Sequence, residues 1–316
     1  MLMKTEDDRM KTHHIKNVVI LFTCFASALI IPAGFANETG SLVTGLGNAT
    51  YTGIEKQPVT LVNGRWEGHP HVEGGASRPS VGLLRDIYFT GDLDADGQEE
   101  TVVILWQSAG GTGSNIYIAV MRSENSEYEN ISTALLGDRV QIKSGKLDSG
   151  KITLEVLQAG ESDPMCCPTQ LATRTWNLKG TQLEEDEMEV TGKLSLNILD
   201  GSDWLMTHIN RQQPLPGDAE VTLSFNAGRI SGKSACNRYS AEVQEGDQPG
   251  EIIIGPTMGT RMACPDHLME VESLYLKALA QVTSFSFFSG SLALNGQSED
   301  GTPFSVLFKP AGKEHE

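Results

Sequence analysis

The chain has 316 residues and sets 24 Lys and Arg against 41 Asp and Glu, a formal net charge of −17. An acidic balance of that size argues against nucleic acid as a partner. It is also repelled by anionic lipid head groups, so the charge reads as a solubility device.

Residues 1–36 open with charged residues, continue as a 14-residue apolar run from Val18 to Ile31, and end in Pro32 and the small-residue stretch 33–36 before Asn37. That is the layout of a cleavable secretory signal. Glu6, Asp7 and Asp8 depart from the positive opening such a signal has, and a start at Met10 would leave Lys11 and Lys16 alone ahead of the run. The run is shorter than the roughly 20 residues a spanning helix needs, and Cys24 lies inside it rather than at its end, so cleavage is expected in place of anchoring or lipidation. Four of the basic and three of the acidic residues precede Asn37, which leaves 280 residues with 20 positive and 38 negative side chains, a net charge of −18. A chain of that length makes about two domains, each with its own core. The expected location is the periplasm or the exterior, with no transmembrane helix after cleavage. Cys166, Cys167, Cys236 and Cys264 remain, and in an oxidising compartment they can pair completely in three ways.

From about residue 50 to 190 short strands alternate with turn signals. The segment 58–62 leads through Asn63-Gly64, a pair suited to the positive φ angles of a tight hairpin turn, into Arg65-Trp66. Apolar or alternating runs follow at 83–90, 101–106, 116–121, 139–142, 152–157 and 171–178. Strand spacing without helical periodicity predicts an all-β meander domain over 50–190. The Glu-rich stretch Leu183 to Thr191 reads as its end and a short solvated connection.

Asp92, Asp94 and Asp96 alternate ahead of Gly97, and Glu100 follows. Calcium takes six to eight oxygen ligands, and a loop turning at a Gly can fold alternate carboxylates onto one centre. The twelfth position from Asp92 is Val103 rather than the Glu of an EF-hand. The pattern resembles the Asp-x-Asp-x-Asp-Gly loops that link strands in exported β-repeat proteins, where the ninth position, here Glu100, completes a calcium site. Calcium is therefore the candidate cofactor, with Asp92, Asp94, Asp96 and Glu100 as the metal set. The competing reading is an acidic turn held by Asp side chains on backbone amides. The loop Gly110 to Ser114 lacks the Lys and the helix of a phosphate cradle and reads as a hairpin connection. With the hairpin 59–66, the acidic loop and residues 136–140, it resembles a domain of uncharacterised exported bacterial proteins. Adjacent Cys166 and Cys167 read as a strained or structural pairing, against a redox switch or soft-metal site.

The last third opens with Asp203-Trp204. An alternating strand, Val221 to Phe225, runs into Ser231-Gly-Lys-Ser-Ala-Cys-Asn-Arg-Tyr239, and Thr257-Met-Gly-Thr-Arg-Met-Ala-Cys264 follows an apolar run at 252–254. These two blocks resemble those of the META domain, the HslJ-like family, over about 195–311. Two departures, Ala235 and Ala241, stand where members often have Gly, which touches local turn geometry. Leu268, Val271, Tyr275, Ala278, Leu279 and Val282 recur at helical spacing, and Pro265 and Asp266 suit a first turn. The resemblance implies an α+β domain with this amphipathic helix on a sheet, and a fold that brings Cys236 and Cys264 together as a disulfide. It implies envelope-associated proteins, some linked to stress or antibiotic tolerance, and no established reaction. Asn237 and Arg238 read either as a recognition patch or as turn and ion-pair residues.

No catalytic residue is assigned. His69, His71, His208, His267 and His315 fall in no nucleophile or zinc motif. The expected function is that of an exported non-enzymatic envelope protein that binds a protein or envelope ligand. The alternatives are an envelope-polymer hydrolase with paired carboxylates, which needs a deep pocket, and a secreted hydrolase inhibitor presenting a rigid loop such as 110–114.

Overall fold

The computed structural model describes residues 42–124, 127–164, 167–209 and 213–311, the side chains of 213 and 214 excepted. The expected signal segment, Cys24 and Cys166 lie outside the described residues. No helix among the described residues is long and apolar enough to cross a membrane.

The chain is mainly β, as the strand spacing predicts. After a helical turn at 42–46 and the small hairpin of β1 (Thr50–Tyr51) and β2 (Val59–Thr60), five strands pair antiparallel in chain order. They are β3 (Arg65–Glu67), β4 (Ser80–Gly91), β5 (Glu100–Ser108), β6 (Asn115–Glu124) and β7 (Glu127–Asp138). Asn63 (φ 51°) and Gly64 (φ 80°) form the tight turn ahead of β3, with both central residues in the left-handed region that such a turn requires. A second meander follows: β8 (Gln141–Asp148), β9 (Lys151–Gln158), β10 (Gln170–Lys179) and β11 (Gln182–Lys193).

The two sheets bury one cluster between them, with Ile104, Ile118 and Val120 facing Ile152, Leu154 and Trp176. The other face of the five-stranded sheet is covered by residues 46–61, whose Leu46, Tyr51 and Leu61 pack on Val103, Leu105 and Met121. β5 is thus buried on both faces. That burial accounts for an unbroken apolar run from Val102 to Trp106 in place of alternation.

Two strands differ from expectation. β7 carries few apolar residues because one of its faces is largely open to solvent. The stretch read as a solvated connection is β11, an edge strand paired along its length with β10. Its row of acids is what an exposed sheet edge carries to prevent pairing with other chains.

The remaining strands build one antiparallel sheet: β12 (Asp203–Ile209), β13 (Gln213–Pro214), β14 (Thr222–Asn226), β15 (Arg229–Lys233), β16 (Arg238–Glu245), β17 (Ile252–Ile254) and β18 (Met258–Gly259), then β19 (Val282–Phe288), β20 (Ser291–Gln297) and β21 (Pro303–Pro310). Its spatial order is 17-16-15-14-12-21-20-19. The sheet curls until its two ends meet, where Glu251 bridges Ser284 and Phe285 N donates to Gly250 O at 2.8 Å, so it approaches a closed barrel. Helix α1 (Asp266–Leu279) packs Tyr275, Ala278 and Leu279 into that curl, with Leu268 and Val271 alongside. Pro265 is its N-cap and Asp266 the acid of its first turn. Val282, expected on the helix, begins β19 instead, because the helix ends at Ala280.

The two halves pack on each other. Leu157 of β9 belongs to the C-terminal core and Leu171 lies against it. Phe287 N donates to Gln141 Oε1 at 2.8 Å, and Gly290 N donates to Ile142 O at 2.9 Å. The tip of the β19–β20 hairpin is therefore held against β8.

Candidate functional sites

The acidic loop between β4 and β5 is organised by its own carboxylates. Asp92 Oδ2 accepts from Gly97 N at 3.0 Å, Asp94 Oδ1 from Asp96 N at 3.2 Å, and Asp96 Oδ1 from Gln98 N at 2.8 Å. Oxygens of Asp92, Asp94 and Glu100 lie within 4.8 Å of one another, the arrangement among the described residues that could hold a metal ion. Asp96, the fourth residue of the expected set, stands outside that group.

A residue the sequence reading did not include completes the cluster. Arg122 is the direct cross-strand partner of Glu100. Its Nη2 lies 2.8 Å from Asp94 Oδ2 and 2.8 Å from Glu100 Oε1, and its Nε donates to the same Glu100 oxygen at 3.0 Å. The other oxygen of Glu100 accepts from Leu93 N at 3.0 Å, so this fully buried carboxylate is bonded on both sides. Hydrogen bonding to Glu100 foremost pushes the Arg122 pKa up and fixes its charge. A calcium ion at Asp94 Oδ2 and Glu100 Oε1 would compete with this guanidinium, whereas Asp92 Oδ1 is buried with no hydrogen-bond partner among the described residues.

In the C-terminal half the two signature blocks meet. Cys236 and Cys264, 28 residues apart, are joined by a disulfide with Cα atoms 6.0 Å apart. Asn237 is buried and bonded all round: its Oδ1 accepts from Met262 N at 2.7 Å and Thr260 Oγ1 at 2.8 Å, and its Nδ2 donates to Glu272 Oε1 at 3.0 Å. Glu272 Oε2 also accepts from Asn237 N at 2.7 Å and from Ser234 Oγ at 2.7 Å. Asn237 is thus a turn residue, tying both blocks to α1, while Arg238 is exposed.

The Gly of the first block is set by close approach, since a Cβ on Gly232 would stand 2.0 Å from Thr222 O. Ala235 adopts φ 70°, a left-handed conformation that Gly takes without strain, so the departure from the family pattern falls where backbone freedom is used. Ala241 lies buried in β16 with no such demand. Tyr239 OH donates to Thr222 O at 3.0 Å and lies 2.5 Å from Tyr275 OH, which leaves Tyr275 as the donor between them. Burial raises the pKa of both phenols.

The other candidates are accounted for locally. His71 Nε2 bonds Ala109 O at 2.6 Å, and Ser77 Oγ donates to Gly110 O at 2.7 Å, so the 110–114 hairpin connection is tethered at its base. His267 bonds Asp218 at 2.7 Å, and that bond foremost holds the Asp218 carboxyl below its ordinary range. Cys167 is disulfide-bonded. Its loop is gripped by Asp163, which accepts from Gly160 N at 2.9 Å, Thr169 N at 2.6 Å and Thr169 Oγ1 at 2.7 Å.

Between the two halves lies a cleft of about 640 Å³, walled by β4 and β8 on one side and by β12 and the β19–β21 strands on the other. Ile87, Phe89, Phe288 and Leu307 supply apolar surface, and Lys309 and His208 supply polar groups. No sequence signal marks it, because its residues come from six separate strands.

Residues 195–307 match the model of the META domain family. No curated protein matches the chain. An NMR structure of a protein from Burkholderia xenovorans is similar at 24% identity over 37% of this chain and 86% of that one, with a TM-score of 0.31.

Proposed function

Residues 195–307 being a META domain, we propose that the chain is an exported, non-enzymatic envelope protein that holds a ligand at the seam between that domain and the β-sheets preceding it. The observation that carries this reading is the cleft itself, formed jointly by both halves and of a size that takes small molecules. Two further features support it. The Cys236–Cys264 disulfide suits an oxidising compartment, in agreement with the signal-like residues 1–36. The polar residues of the signature blocks are spent on internal bonds, and in the acidic cluster Asp94 and Glu100 are paired with Arg122.

The test is native mass spectrometry on the full chain recovered from the envelope fraction of cells that express it. The expected result is an added small-molecule mass, one per chain, that is absent from Ser291→Trp, a substitution that fills the cleft. Recovery from the cytoplasm with free thiols would overturn export. A ligand-free chain, or a bound mass indifferent to Ser291→Trp, would overturn binding at the seam.

A further inference from the structure

The β19–β20 hairpin turns through Ser289 and Gly290, both at positive φ (49° and 76°). Gly290 is bound to β8 by its amide, and Ser289 is 6% exposed and lines the cleft. The Ser289 hydroxyl has no hydrogen-bond partner among the described residues. A buried hydroxyl left unbonded is unfavourable, so an orphan that lines a cavity marks a place where a bound group is expected to supply the partner.

The surroundings narrow the chemistry of that group. Phe288 pairs with Ser291 and His208 with Leu307, and cross-strand partners share a face of a sheet. All four line the cleft, as does Lys309, which lies on the face of Leu307 by the two-residue period. Neither Lys309 nor His208 forms an ion pair among the described residues, whereas Lys143 is already 3.0 Å from Glu155. One acid, Asp86, belongs to the lining, and it is exposed. On a chain with 41 acids and 24 bases, a cleft that joins a free Lys and His to aromatic and aliphatic walls is locally complementary to an anion with an apolar body.

We propose that the seam cleft binds an amphipathic carboxylate of the fatty-acid type. Its chain lies against Ile87, Phe89 and Phe288, and its carboxylate is held by Lys309 and His208 with the Ser289 hydroxyl donating. The inference rests on the reading of the chain as a seam-binding protein and adds the class of ligand.

The test is calorimetric titration of the full chain with sodium dodecanoate below its micelle concentration, with methyl dodecanoate and dodecyl phosphate as parallel arms. The expected result is one saturable dodecanoate site and no binding of the uncharged ester. Lys309→Met lowers the affinity at least tenfold. Ser289→Gly lowers it several-fold while leaving the melting temperature unchanged or higher, since Gly suits the turn better than Ser. A purely structural serine would not separate these two readouts. No dodecanoate binding, or binding that both variants leave intact, overturns the inference. Dodecyl phosphate bound alone, and weakened by Lys309→Met, overturns the carboxylate class while leaving the seam a binding site.

Discussion

Arg122 Nη2 and Glu100 Oε1 lie 2.8 Å apart, with the carboxylate fully buried beneath the arginine. Removing one member of such a pair strands the other charge and costs about 3 to 5 kcal/mol, whereas replacing both with neutral groups of similar shape costs far less. Arg122→Met is therefore expected to destabilise by that amount, and Arg122→Met with Glu100→Gln to recover most of it. Urea denaturation of the four proteins in the cycle measures this.

The same arginine bears on whether the acidic loop takes a metal ion. Calcium titrated after chelation competes with the guanidinium for oxygens of Asp94 and Glu100. Arg122→Gln is expected to bind calcium at least tenfold more tightly than the unchanged chain, and adding Asp94→Ala to abolish the gain. Equal affinities with and without Arg122 would show that the guanidinium does not compete with the ion, and no binding by either would show that the loop does not take it.

Asn237 satisfies Met262 N, Thr260 Oγ1 and Glu272 at once. Asn237→Ala takes this side-chain partner from Met262 N, Thr260 Oγ1 and Glu272 Oε1 beside the disulfide and is expected to cost about 2 to 4 kcal/mol. Asn237→Asp is expected to cost more, because it places a second carboxylate 3.0 Å from Glu272. Chemical denaturation at neutral pH orders the three.

Closing a 28-residue separation with the Cys236–Cys264 bond contributes about 3 to 4 kcal/mol on the chain-entropy account. Replacing both cysteines with Ala should lower stability by up to that amount without changing the near-ultraviolet signature of the folded state, since Asn237 and Glu272 still hold the blocks. A collapse of that signature would mean the bond is required for the fold.

Tyr239 and Tyr275 give the molecule an alkaline limit. Burial keeps both neutral, with folded pKa values above the ordinary value of about 10. Their contribution is complete below about pH 10 and is lost as pH rises through the folded values, because the unfolded chain releases its phenolic protons first. Titration of tyrosinate absorbance should leave these two silent until the fold opens. Tyr275→Phe, which removes one of the hydroxyls, should flatten the alkaline loss.

Much of this architecture was legible because burial on one face or two writes itself into residue order, as in the run from Val102 to Trp106 and the spacing from Leu268 to Leu279. The acids of β11 concealed a strand, since an edge strand answers to what must not pair with it. Arg122 was invisible beside the acidic loop because it arrives through β6, 22 residues after Glu100. Glu272 reaches Asn237 from a helix 35 residues on. The META blocks could be read as a pattern, while the reason for their Asn and Gly lies in contacts that only the folded sheet creates.

The passage from one half to the other has almost no spare length. β11 runs to Lys193, Leu194 is buried and donates its amide to Thr169 O at 2.7 Å, and a 3-10 turn begins at Leu196. With the β19–β20 tip also fastened to β8, the halves meet at two separate places. The boundary in the chain and the packing contact are thus separate ties, so a cut in the chain at 194–196 is expected to leave the halves still joined through the β19–β20 tip.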